Sequence, residues 1–221
     1  AKILPIRLFG SCPMARLDLL DAMAWAGGLP VAGVPINSHP AQIINLSFSG
    51  GKHICGSDLQ GLVDRLVKKN IFIVAAVGNS FGKKLVEPAN CDGVISVGAV
   101  DAENNIESYS SLDARTVIYA PGGGKDLSGS APWHLNKLRV ASFDLNFKGD
   151  EQPLASARGV GTSYAAPLVS GFISLLLSRR TDMKPAEFIN ELPKFTRPVH
   201  PTDKCPDCMP RGLTMTSVAI Q

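Results

Sequence analysis

"SDLQGLVDRLVKKNIFIVAAVGNS", residues 57–80, sets two periodicities back to back. Leu59, Leu62, Val63, Leu66 and Val67 recur at the three- and four-residue spacing of an amphipathic helix, and Ser57 or Asp58 is suited to cap it. From Ile71 the run IFIVAAV is continuously apolar, as a strand buried on both faces must be, and Gly78-Asn79 closes it. A helix feeding such a strand is half of a crossover unit, so a parallel sheet is expected.

The same grammar extends outward. Gln42–Phe48 is an apolar run ended by Ser49-Gly50-Gly51, and GVISVGAV from Gly93 repeats the buried-strand pattern. Val117–Ala120 predicts another short strand and Ala1–Phe9 a further one, while Leu17, Leu20, Met23 and Ala24 place a helix over 14–26. Lys125–Gln152 has no strong period and predicts a long excursion with some β-structure. GVGTSYAAPLVSGFISLLLSRR, 159–180, turns from small residues into a long core helix, and Pro185 opens a last helix ending by Pro193. The expectation is one α/β domain over 1–221, a mostly parallel sheet between helix layers. Sites in such sheets lie beyond the carboxyl ends of the strands, here near Gly50-Gly51 and Gly78-Asn79.

Composition narrows the function classes. The 221 residues carry 22 Lys and Arg against 19 Asp and Glu, a formal charge of +3 without a basic run longer than a pair, which gives nucleic acid no electrostatic footprint. No apolar stretch approaches the roughly 20 residues of a membrane span, and no leader pattern precedes Ala1, so a soluble chain that is processed or a piece is expected. PGGGKDLSGS lacks the Lys-Ser/Thr step of a phosphate loop, and GVGTSY lacks the third glycine of a dinucleotide fingerprint. Cys205, Cys208 and His200 offer three zinc ligands, one short of a closed structural shell, so a local disulfide is the favoured reading there.

Ser163 opens the long helix, where free backbone N–H groups and the positive end of the dipole suit a developing oxyanion. Taken alone, a serine there reads first as a cap. Asn79, an amide donor just past a buried strand, changes the balance, although by itself it reads as a turn residue.

Together these segments resemble the subtilisin-like serine proteases. GTSYAAPLVSGFISLLLS is similar to the family's nucleophile segment, which implies Ser163 as catalytic serine. IVAAVGNS is similar to the oxyanion segment, which implies Asn79 as a donor acting with the Ser163 N–H. IINLSFSGG resembles the substrate-binding strand, so Ser47, Phe48 and Ser49, and across from them Ala76, Val77 and Gly78, are the expected substrate-binding positions. The resemblance implies a polypeptide substrate, hydrolysis through an acyl-enzyme, and a secreted or periplasmic protein. It also implies a Cys55–Cys91 bridge and a Cys205–Cys208 pair, leaving Cys12 over. Calcium often accompanies the family, but no ligand cluster can be named in this sequence, and no other cofactor or metal is expected.

The family order is Asp, His, Ser, and the strand resembling AKILPIRLFG follows the first two. The expectation is therefore the C-terminal part of a catalytic domain, lacking the N-terminal portion. That portion or a partner chain carries Asp, His and a mate for Cys12, and this chain alone is nearly inactive. His39, His53, His134 and His200 all stand in loop-like contexts unlike a catalytic base. The rival is an inactive subtilisin-like binding domain, which Tyr164 after the serine and Ser49 in place of a glycine would suit. Glu87 or its neighbours, if they line the pocket for the residue before the scissile bond, predict a basic preference there.

Overall fold

The computed structural model describes residues 1–9, 15–124, 138–143, 154–200 and 211–213. Cys12, His134, Cys205, Cys208 and most of the 125–152 excursion lie outside them, and with them the expected Cys205–Cys208 pair.

Helix α1 (Arg16–Ala26) is followed by β1 (Ile43–Leu46), α2 (Ser57–Lys68), β2 (Phe72–Ala76), β3 (Ile95–Val100) and β4 (Ile118–Pro121). An antiparallel pair, β5 (Leu138–Phe143) and β6 (Leu154–Gly159), leads into α3 (Thr162–Leu177). Helix α4 (Pro185–Phe195) and the short strands β7 (Thr196–Pro198) and β8 (Arg211–Leu213) close the chain. The main sheet runs β1-β2-β3-β4-β8-β7, parallel except where β7 meets β8.

Strands β2 and β3 are buried on both faces because helices cover both, which is why they read as unbroken apolar runs. Along β2, Phe72, Val74 and Ala76 face α3 and α4, meeting Ala165, Val169, Phe172, Ile173 and Phe188. Ile73 and Ala75 face the other way, onto α1 and α2 through Met23, Leu59, Val63 and Leu66. This period-two division puts the sheet between two helix layers, as the sequence predicts.

Four local readings differ. Residues 1–9 form no strand: they carry no ladder, and Ile3, Leu4, Ile6 and Phe9 are exposed. A strand needs a neighbour to take its backbone donors and acceptors, and among the described residues no strand pairs with this segment. In α1 the buried stripe is Leu19, Met23 and Ala26, so it is rotated from the expected one and Leu17 points to solvent at 70% exposure. Gly56, not Ser57 or Asp58, is the N-cap of α2, without a side-chain cap. Helix α4 runs past Pro193 to Phe195, and β7 and β8, too short for a sequence pattern, extend the sheet.

The expected disulfide is present: Cys55 and Cys91 are joined with their Cα atoms 5.1 Å apart across 36 residues of sequence. Closing a loop of that size removes about 4 kcal/mol of chain entropy from the unfolded state. It ties the segment before α2 to the connection between β2 and β3.

Candidate active site

Helix α3 begins where β6 ends, and its N-cap is Gly161 at φ 148°, with no side-chain cap. That backbone region is open to glycine alone, and Gly161 N–H donates to Gly122 O at 2.8 Å. Ser163 is thus the second residue of the helix and half-buried, so its hydroxyl does not serve as the cap.

The first turn of α3 accounts for most of its free donors. Tyr164 N–H bonds Gly161 O at 3.0 Å, and Thr162 N–H bonds Asn79 Oδ1 at 3.0 Å. The Thr162 hydroxyl donates to the same Oδ1 at 3.0 Å and accepts from Gly78 N–H at 3.1 Å. Among the described residues the Ser163 N–H has no acceptor. With Oδ1 of Asn79 held twice by Thr162, its amide nitrogen is turned the other way. A Cβ built on Gly161 would stand 3.1 Å from Asn79 Nδ2 and 3.2 Å from Ser163 Oγ, so both groups border one small space and a side chain at 161 would fill it.

Of the other expected positions, Gly78 and Ser49 come to this group at the strand ends. Ala76 and Val77 are buried, and Gly78 turns the chain at φ 97° beneath Thr162. A Cβ on Gly78 would meet the Ser49 and Ser111 side chains, so Ser49 lies against the β2 exit. Ser47 Oγ accepts from Asn45 Nδ2 at 2.8 Å, and Asn45 Oδ1 accepts from Ser170 of α3 at 2.9 Å. Phe48 packs edge-on against Phe9, with ring centroids 5.4 Å apart. Behind the site Tyr109 donates to Gly123 O at 2.7 Å, and burial pushes its phenol far above the ordinary value, so it stays neutral.

The three described histidines do not join this group. His39 bonds Ser38 in an exposed loop, His53 is exposed, and His200 pairs with Asn104 and Asn105 in the turn after β3. Glu87 corrects an expectation: it is 2% exposed, but its carboxylate is already taken by Arg16 and by Gly56 N–H at 2.7 Å. Both oxygens are occupied, so it offers no free anion to a basic substrate side chain. Burial pushes this carboxyl up, and the hydrogen bonds from Arg16 and Gly56 outweigh it and hold the group below the usual range. Among the described residues no three His, Cys, Asp or Glu side chains stand together as a metal site. No described helix is long and apolar enough to cross a membrane.

Thr162 was hidden in the sequence as the middle letter of GTS; only its contact with residues 78 and 79, more than eighty positions earlier, reveals it as the link between the start of α3 and the Asn79 amide.

Comparison with known proteins identifies the family. The model of the subtilase family matches residues 1–198. The chain is 34% identical over 181 residues to an extracellular basic protease of Dichelobacter nodosus, covering 80% of this chain and 27% of that one. It is 32% identical over 187 residues to an extracellular protease of Xanthomonas campestris pv. campestris, covering 80% and 28%. Among solved structures, a Pseudoalteromonas arctica protease superposes with a TM-score of 0.81 at 29% identity, covering 98% of this chain and 62% of that one. The chain therefore spans about a quarter of the length of these curated relatives.

Proposed function

The chain belongs to the subtilase family, and from that premise we propose that it supplies the nucleophile half of a serine endopeptidase site. Ser163 Oγ attacks the scissile carbonyl of a polypeptide, and the tetrahedral oxyanion is held by Asn79 Nδ2 and the Ser163 N–H. Collapse of that intermediate breaks the peptide C–N bond, the amine leaving with the proton that the base took from Ser163, and the acyl group rests on Ser163 until water removes it. The carrying observation is the locking of Asn79 Oδ1 by Thr162, with Asn79 Nδ2 and Ser163 Oγ bordering the same space at Gly161. Such donors are fixed before reaction begins and cost no reorganisation; losing one lowers turnover by on the order of 10²–10³.

The base and its orienting carboxylate come from a further N-terminal segment or fragment of the same protease. Support lies on the surface. Helix α3 is among the most apolar segments of the chain, yet Pro167, Gly171 and Leu175 along one of its faces are exposed. Exposed apolar side chains at Ile3, Leu4, Ile6 and Phe9 lie on an unladdered segment. A second piece packed over these surfaces would bury them and face Ser163. The 221-residue chain alone is then nearly inactive, because triad members act as a unit.

Export fits the Cys55–Cys91 bridge, which persists in oxidising compartments, and the extracellular naming of the two relatives. Fluorophosphonate treatment of the full-length protein tests the reading. Mass-mapped labelling at Ser163, lost in Ser163→Ala, is expected. An unlabelled, folded full-length protein would overturn it in favour of a binding domain that has kept the fold without the chemistry.

A further inference from the structure

The chain at Gly50-Gly51 has no side chains to bury, and Lys52, His53 and Ile54 after it are exposed. Nothing apolar holds this stretch, although it continues directly from Ser47–Ser49. Apart from the Cys55–Cys91 bridge near its end, its fixed points are polar, among them Asn90 Nδ2, which donates to Lys52 O at 3.0 Å. Gly50 N–H donates to Glu87 O at 2.9 Å, and Glu87 N–H donates to Lys52 O at 3.1 Å, so residue 87 pairs with the stretch on both sides. Glu87 Oε1 takes Gly56 N–H at 2.7 Å, and a Cβ on Gly51, at φ 101°, would stand 2.9 Å from Oε2.

The orientation of Glu87 depends in turn on one cation. Arg16, at the start of α1, donates from Nη1 and Nη2 to the two Glu87 oxygens, the second bond at 3.0 Å. Its other edge donates from Nε and Nη2 to Asp58, both at 2.6 Å. A guanidinium satisfies two carboxylates this way because its donors form a rigid planar fork, which a lysine lacks. Gly56 has no room for a side chain, since a Cβ there would stand 2.5 Å from Arg16 Nη2 and 2.7 Å from Asp58 Oδ1. The starts of both helices and the glycine stretch therefore meet at one side chain.

We propose that Arg16 is a positioning residue for the substrate-binding strand: through Glu87 it fixes Gly50–Gly56 and thereby sets where Ser47–Ser49 present their backbone to a peptide. This rests on the reading of Ser47–Ser49 as substrate-binding. Arg16 touches neither substrate nor Ser163, so it acts on peptide binding and not on the reactivity of the serine.

The test uses the full-length protease. Arg16→Ala is expected to raise KM for an extended peptide on the order of tenfold, with kcat within about twofold. Ser163 labelling by a small fluorophosphonate, which has no peptide to lay on the strand, stays at the wild-type rate. Arg16→Lys recovers only part of the loss, and it also serves if Arg16→Ala does not fold. A folded Arg16→Ala with unchanged KM overturns the proposal, as does an equal fall in labelling and peptide hydrolysis, which would mark general damage. If the wild-type protein is not labelled, the enzymatic reading fails separately. Amide exchange at Gly50, Gly51 and Gly56 then still reads Arg16: faster exchange in the variant keeps its hold on the stretch, and unchanged exchange refutes it.

Discussion

Replacing Thr162 by valine removes one oxygen at almost constant volume, and the structure says what that oxygen does. It takes the N–H of Gly78, which is buried, and donates to Asn79 Oδ1. Thr162 itself is 1% exposed, so no solvent replaces the lost acceptor. An orphaned buried N–H costs about 1–3 kcal/mol, whereas Asn79 is exposed and water can replace the second bond there for nearly nothing. The expected destabilisation is about 2 kcal/mol, which at a urea slope of about 2 kcal/mol/M lowers the midpoint by about 1 M. Thr162→Ser separates the oxygen from the methyl group: it keeps both hydrogen bonds and loses about 0.8 kcal/mol of buried methyl. Urea unfolding of the three proteins, followed by fluorescence, measures the difference. A valine midpoint equal to or above the serine midpoint refutes the claim that this hydroxyl is what joins the β2 exit to the start of α3. In the full-length protein the valine variant should also label more slowly at Ser163, since Asn79 loses one of its two anchors.

Gly161→Ala should abolish Ser163 labelling while leaving a folded protein detectable by circular dichroism, because a Cβ there enters the space between Asn79 Nδ2 and Ser163 Oγ and φ 148° strains any other residue. Replacing Cys55 and Cys91 together by serine should lower unfolding free energy by about 4 kcal/mol, and adding reductant to the unaltered protein should reproduce most of it. Hydrogen bonds from Arg16 hold Asp58 below the usual carboxylate range, and those from Arg115 do the same for Asp113. Folded values below unfolded ones contribute stability present above the ordinary carboxylate range and lost on acidification. The urea midpoint should therefore fall as pH drops below about 4, more shallowly in Arg16→Met; equal slopes would remove Arg16 as the cause.

Much of the architecture was legible because local periodicity carries it. The two-face-buried strands at 72–76 and 95–100 and the stripe Leu59, Leu62, Val63, Leu66 each announce their element without help from distant residues. Ser163 and Asn79 were legible as candidates because each sits where such an element starts or ends. The reading failed where an element depends on a neighbour. Ala1–Phe9 has a strand's alternation but no ladder among the described residues, and β7 and β8 have a ladder but too few residues for a pattern. In α1 two overlapping apolar stripes were available, and packing on α2 selected Leu19, Met23 and Ala26.

The sequence by itself determined a parallel α/β sheet with a serine-bearing helix after its strands, since helix and strand periods are properties of consecutive residues. Tertiary structure alone decided that Thr162 locks Asn79 across 83 positions, and that Arg16 gathers Asp58 and Glu87 from 42 and 71 positions away. Glu87 shows the difference most plainly. As a letter before Pro88 it reads as an open anion near a substrate pocket; in the fold it is a buried group already matched by an arginine. A charge has no fixed meaning until the chain has chosen its partner, and that choice is made by topology, not by spacing.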